Sequence, residues 1–549
     1  MRILIFVTAA SATLFGPHLH GPFKYLWTPS LQYVCQQLKA KITPENVFCD
    51  LDKYGRLDFV DFNGDVTKGW NFGNENCNEK AVAMLVVVRP ANAFEITEVV
   101  KFAGSAGIPL SVRSGGHSYT CNSVKKSSIH LDMRSLDSVE IIPNTFDDSP
   151  PNDELRVAKF GAGNNFKQIF KTIDVATYSF VHGECHTVGV GGFYLHGGAH
   201  AGILSEKYGY GNESIRELEM VIADGSILNF QEKRTKKDTQ GYLDYLREPV
   251  RVTKDGVPVT DKAYADLWDA MRVAGSSFGI VTSLTIQLYE ASEPHVFFFV
   301  IDLSEEDQLQ LFDDAAQDDG MNLNLYHYHG YMNILNVEYA IIQMSVTDGS
   351  NIKREAKEQC LKWLDVWMEK KPRQYLLWRW FKLKNLLTWG INLFLDLNQQ
   401  DYKIVYPTTK DWVTSSVLIK WSESDRKSIM QWYKRKYSKA KERKPCWLIF
   451  AQLDNRAYIE DRALYVDLTC GAEHKGIIQE IELEFPKVFP NISYSKYYNV
   501  PIEFNTKAEE SSLKHLYFPE YDKLHVTKLL FDPNGLFDQH QGIRVHDEF

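Results

Sequence analysis

Two side chains able to carry a group on a covalent bond stand in glycine-rich surroundings. His117 lies in Arg113-Ser114-Gly115-Gly116-His117-Ser118-Tyr119, and Cys185 lies in Gly183-Glu184-Cys185-His186-Thr187-Val188-Gly189-Val190-Gly191-Gly192. Adjacent glycines let backbone N–H groups come close to a pyrophosphate, a common use of glycine in nucleotide-binding loops. The first stretch follows an apolar, strand-like run from Ile108 to Val112, and the second continues to Gly197 and Gly198. Taken singly, a Gly-Gly-His reads as a turn with a solvated histidine, and a lone cysteine in a secreted chain reads as half of a disulfide. The two stretches in this order, with strand-like segments between them, say more than either alone.

The elements that would position them are legible around both. Gly161-Ala162-Gly163 follows the run Leu155 to Phe160, Lys207-Tyr208-Gly209 precedes Leu218 to Gly225, and Leu267-Trp268-Asp269-Ala270 leads to Ser277-Phe278-Gly279-Ile280-Val281-Thr282. Near the end come Tyr517-Phe518, Tyr521-Asp522-Lys523-Leu524 and Phe531-Asp532-Pro533-Asn534-Gly535-Leu536-Phe537. With these segments the chain resembles the berberine bridge enzyme-like family of FAD-linked oxidases, within the vanillyl-alcohol oxidase superfamily with its PCMH-type FAD-binding domain, from about Val86 to Ile543. The resemblance implies an α+β, two-domain fold in which the second domain is a mixed or antiparallel sheet covered by helices. It also implies FAD bound covalently, with His117 on the flavin 8α-methyl and Cys185 on C6, and with a raised flavin potential and an open substrate site. The cofactor would be contacted by Arg113, Ser114, Gly115, Gly116, Ser118, Val188, Gly189, Gly191, Gly192, Gly279, Ile280, Val281, Tyr497 and Asn499.

Substrate chemistry implied by the same resemblance centres on Tyr497, in a Tyr497-Tyr498-Asn499 stretch where the family places a tyrosine in the active site. A tyrosine titrates near about 10 unperturbed, so as a general base Tyr497 needs a nearby positive charge or donor. Gln452 stands where alkaloid-oxidising members have a glutamate base. Glutamine cannot take a proton, so the match favours tyrosine-based oxidation, while a shift of a few residues would bring Asp454 or Glu460 there instead. Tyr119 would border the flavin. Val188 occupies the position where valine goes with oxygen access, which implies an oxidase passing substrate hydride to flavin N5 and electrons to O2 as H2O2. Ala199 and His200 replace a large aromatic and a glycine, which would enlarge the pocket. The expected substrate is a small alcohol, alkaloid or terpenoid. A carbohydrate oxidase and a turnover-deficient flavin-binding protein remain the alternatives.

Bulk properties are compatible. The 549 residues favour two domains, and the formal net charge of −10 gives no electrostatic reason to expect nucleic acid. The eight cysteines are scattered rather than closely paired, unlike a zinc site, so no metal is expected. Met1-Arg2 and the apolar run Ile3 to Ala10 read as a secretory signal over residues 1–12, with a short buried strand as the alternative. The terminal His546-Asp547-Glu548-Phe549 resembles a retrieval signal of the endoplasmic reticulum, which makes its lumen the expected compartment and secretion the second choice. Sequons occur at Asn212 and Asn491. The segment Tyr375 to Leu395 carries Arg379, Lys382 and Lys384 and falls short of the ~20 apolar residues of a membrane span. Along the chain we expect a lead-in over 13–80, the FAD domain over 81–290 with a charged surface insertion from Gln231 to Lys262, a substrate domain over 291–485, and a return segment over 486–545. The expected partners are a small-molecule substrate and O2, with the protein a monomer.

Overall fold

The computed structural model describes residues 30–50, 58–60, 66–68, 85–118, 121–146, 156–174, 177–183, 187–198, 205, 208–236, 245–247, 249–290, 295–301, 310, 311, 314, 321–329, 340–346, 412–420, 425–440, 446–454, 462–471, 474–492, 494, 495, 514, 516, 518, 520–538 and 542–545. The fold is α+β, built on three main sheets.

The first sheet has four strands. Val86–Val88, Leu110–Arg113 and Ile129–Asp132 pair in parallel, and Val47–Phe48 adds an antiparallel edge. Strands in such a setting are buried on both faces, and Val86, Val87, Val88, Ile129 and Leu131 are fully buried. The helix Ala93–Ala106 connects the first two parallel strands. Asn92 caps it by accepting from Glu95 N, and it ends at Gly107, whose φ of 63° is the left-handed stop that glycine adopts most readily. The expected lead-in is therefore partly built into this sheet. Its helix Leu31–Lys41, capped by Ser30, is tied by the Cys35–Cys49 disulfide to the strand Val47–Phe48.

The second sheet has seven antiparallel strands in the order Val257–Val259, Arg251–Lys254, Ile227–Gln231, Ile215–Val221, Ile280–Gln287, Arg156–Gly161, Val139–Pro143. Its inner side carries the larger core, with Phe160, Leu218, Phe230, Leu284 and Ile286 against Trp268 and Met271 of the helix Lys262–Ala274. The charged stretch expected as a surface insertion instead supplies two of these strands. Asp255 and Gly256 have φ of 50° and 81°, the paired positive angles of a two-residue hairpin turn, and they set Lys254 opposite Val257.

The third sheet is wholly antiparallel, in the order His295–Ile301, Ala340–Val346, Met321–His329, Cys446–Asp454, Arg462–Gly471, Trp412–Lys420, Tyr494–Ser495. The helices Arg426–Ala440 and Lys475–Val488 pack on its strands and on each other, so they cover one face. Lys436 of the first helix bridges Glu480 and Glu484 of the second. Directly opposed in register, Cys446 and Cys470 form a cross-strand disulfide. Among the described residues, no helix is long and apolar enough to cross a membrane; residues 375–395, the signal-like start and the last four residues lie outside them.

Candidate flavin site

The two glycine-rich stretches cross in direct contact. Gly115 follows the buried strand end Arg113 at the C-terminal edge of the parallel strands. A Cβ on Gly115 would overlap the Gly189 backbone, and one on Gly189 would overlap Gly115 N and Ser114 Oγ. Only glycine fits at either position, because the clash is with backbone that cannot swing away. Three hydrogen bonds fix the crossing. Ser114 Oγ donates to Ala162 O at 2.6 Å and accepts from Gly191 N at 3.2 Å, and Val190 N donates to Asn164 O at 3.0 Å. The turn Gly161-Ala162-Gly163 is thereby the third member of the crossing, and its own glycines are pressed against the Leu136 and Met133 carbonyls.

His117 follows directly. Gly116 takes φ 76°, and the half-buried His117 ring then places Nε2 2.7 Å from Thr187 Oγ1, across 70 residues of sequence. Its pKa is pushed down to about 4, first by burial among protein atoms and then by the Arg113 guanidinium, so the ring is neutral at physiological pH. With Nε2 held, Nδ1 is the ring nitrogen left for another bond. Ser118 closes the loop by accepting from Asn122 N on its hydroxyl and Cys121 N on its carbonyl. Arg113 is itself buried and stands in register with Asp132. Burial alone would raise the Asp132 carboxyl, but Arg134, Arg113 and Arg89 hold it far below the usual carboxylate range.

The remaining expected residues are placed as follows. Val188 is half-buried against the larger core, and its carbonyl accepts from Phe166 N. Gly191 packs on Ser114, whereas Gly192 faces open space. Gly279 lies against Met220 and Val221, and the side chains of Ile280 and Val281 are buried in the two cores on either side of the sheet, so these three could meet a cofactor only through backbone. Gln452 is in register with Leu464, which pairs with Ile419, which pairs with Tyr494, giving one row across four strands. Cys185, Tyr119, Tyr497, Asn499, Ala199, His200 and Glu460 lie outside the described residues. Of the sequons, Asn212 is buried with Nδ2 donating to Arg272 O at 2.9 Å, whereas Asn491 is exposed after the helix Lys475–Val488.

The site contains one residue that no sequence motif singled out. His196 is buried, with Nδ1 2.8 Å from Gly192 O and Nε2 2.7 Å from Ser276 Oγ. A carbonyl only accepts, so Nδ1 carries the proton and, in the neutral ring, Nε2 accepts from Ser276. Burial pushes the His196 pKa down to about 4, against a small opposing pull from the Gly192 carbonyl.

This arrangement fits a dinucleotide. Among the described residues the N–H groups of Gly115, Gly116 and His117 have no partner, and the fully buried Asn164 Oδ1 beside the crossing accepts no hydrogen bond. Consecutive unpaired N–H groups around a left-handed glycine form a concavity suited to phosphate oxygens. Residues 84–231 match the FAD binding domain family. An FAD-dependent monooxygenase of Fusarium proliferatum is 26% identical over 262 residues, 48% of this chain and 42% of that protein. A VAO-type flavoprotein oxidase of Thermothelomyces thermophilus is 32% identical over 142 residues, 26% of this chain and 24% of that protein. The matched stretch thus spans less than half the length of these curated relatives. The structure of Phl p 4, a grass pollen allergen with glucose dehydrogenase activity, covers 93% of this chain and 99% of its own at a TM-score of 0.59 and 16% identity. The chain therefore carries an FAD-binding domain within the PCMH-type fold, and its curated relatives include FAD-linked oxidoreductases and oxidases.

Proposed function

We propose that the protein is an FAD-linked oxidase holding its flavin on two covalent bonds, through His117 and Cys185, and oxidising a small organic substrate at the expense of O2. The observation that carries this reading is the crossing of the Gly115 and Gly189 stretches with a neutral, Thr187-held His117 at its rim, inside residues matched to an FAD-binding domain. When bound there, FAD supplies the two-electron acceptor for a substrate C–H and the donor of those electrons to O2.

The chain's own residues do the rest. Gly115, Gly116 and His117 would offer N–H groups to a pyrophosphate, Ser114 keeps the loops crossed, and Thr187 holds Nε2 of the uncharged His117 ring, so that Nδ1 would be the nitrogen to carry the flavin. Tyr497, just beyond the edge strand Tyr494–Ser495, takes the acidic substrate proton, and Gln452, on the same row as Tyr494, binds without titrating. The disulfides Cys35–Cys49 and Cys446–Cys470 support an oxidising compartment, and we place the protein in the lumen of the endoplasmic reticulum as a monomer. A second reading, oxidation of a carbohydrate at its anomeric carbon, is favoured by the fold shared with a glucose dehydrogenase.

Anaerobic flavin bleaching against alcohols, alkaloids, terpenoids and oligosaccharides, followed by peroxide release in air, tests both. Bleaching by one class with peroxide on reoxidation supports the oxidase and selects between the readings. A bound flavin reduced by none of them would mean a binding protein.

A further inference from the structure

Lys528 is wholly buried near the end of the helix Tyr521–Phe531. Its ammonium donates to Ser277 O at 2.6 Å and Asp532 Oδ2 at 2.6 Å, and lies 3.1 Å from Asp538 Oδ1. Burying an ammonium is expensive unless it is fully paired, and an aliphatic side chain would fill the same space more cheaply. What the lysine adds is direction. Asp532 accepts from Leu536 N and Phe537 N at 2.8 Å each, which turns the chain back, and Ile543 N then donates to Ser277 Oγ at 3.0 Å.

Both glycine-rich stretches are reached from this one segment. Lys125, in the loop that follows His117, donates to Asp538 O at 2.8 Å across 413 residues. On the other side, Gly275 N donates to Leu195 O at 3.1 Å and Ser276 Oγ bonds His196, so the Ser277 loop is fastened to the turn after Gly189–Gly192. Gly275 sits so close to Leu195 that a Cβ there would meet it at 2.9 Å.

We infer that Lys528 is a positioning residue for the cofactor: by tying the C-terminal segment to Ser277, it braces the two glycine-rich loops on either side of their crossing, at Lys125 and at Leu195, in the arrangement that FAD needs. The inference rests on the FAD reading above, and it adds that a residue touching neither loop governs how well they take up the flavin.

The test compares two buried lysines in the full-length protein. Lys528→Met and Lys436→Met each remove a buried cation from two carboxylates, Asp532 and Asp538 for Lys528 and the exposed Glu480 and Glu484 for Lys436, but Lys436 sits in the third sheet's helix layer. Both variants should melt at lower temperature than the wild type. Only Lys528→Met should lower the flavin-to-protein ratio, by at least about twofold, since a buried partner is lost beside the loops alone. Equal ratios in wild type and Lys528→Met, or an equal loss in Lys436→Met, would overturn the inference. If Lys528→Met does not fold, Lys125→Met and Ser277→Ala remove one strut each, and unchanged flavin in both is the contrary result. Wild-type protein that never carries flavin fails the FAD reading itself, and that control is read before any variant.

Discussion

His117 Nε2 and Thr187 Oγ1 stand 2.7 Å apart although 70 residues separate them in sequence, so the residue proposed to carry the flavin on one loop is oriented by the other. Thr187→Val keeps the shape and removes the hydroxyl. A neutral hydrogen bond contributes about 1 kcal/mol, so the His117 attachment should form roughly five- to tenfold more slowly while the Cys185 bond still forms. Time-resolved mass spectrometry of apoprotein supplied with FAD reads the two attachments separately. Unchanged rates at His117 would show that Thr187 does not orient the ring.

Gly115→Ala tests the loop crossing. The added methyl would drive into Gly189 backbone, so overpacking of about 1–3 kcal/mol is expected, together with loss of flavin. Gly476→Ala, which meets open space in the third sheet's helix layer, should lower neither. Thermal melts and flavin absorbance of the two variants give the comparison, and equal behaviour would contradict the geometry.

His196 sets a pH dependence. Its pKa falls from an ordinary value near 6.5 to about 4 on folding. The unfolded chain therefore binds the proton more tightly, and stability present above about pH 6.5 is lost as pH falls toward 4. The loss is on the order of 3 kcal/mol for this one buried ring. His196→Gln, which can still donate to Gly192 O and accept from Ser276, should flatten the profile between pH 6.5 and 4 relative to wild type. Denaturant melts at several pH values would show this, and parallel profiles would rule it out.

Much of this site is legible in the sequence because glycine leaves a mark there. Gly115, Gly189 and Gly163 have to be glycine for contact reasons, and their clustering along the chain by itself points to close backbone approach. The α+β class follows from the resemblance that these stretches carry, and the three sheets with their covering helices have it. Long-range polar contacts leave no such mark. Lys528 looks like any helical lysine, and His196 like any histidine, until the fold brings Ser276 and Ser277 against them. The hairpin at Asp255-Gly256 has its signal in plain view, but the surrounding charges suggest a loose insertion. Of them, Arg251 and Lys254 fall on a strand beside the edge of the sheet, where solvent accepts them.

Tyr497→Phe tests the proposed base. Ring packing is kept and the titrating hydroxyl is lost, so anaerobic flavin reduction should slow by roughly 10²- to 10⁴-fold with flavin attachment intact. Gln452→Glu should bring no gain. Near-normal reduction in Tyr497→Phe would move the search to Asp454 and Glu460.

A flavin carried on two covalent bonds stays with the protein until both are removed, so flavin retention after denaturing precipitation is to be compared in wild type, His117→Ala, Cys185→Ala and the double variant. Retention in the first three and complete release in the double variant is the predicted result; release of all flavin from the wild-type protein would contradict it.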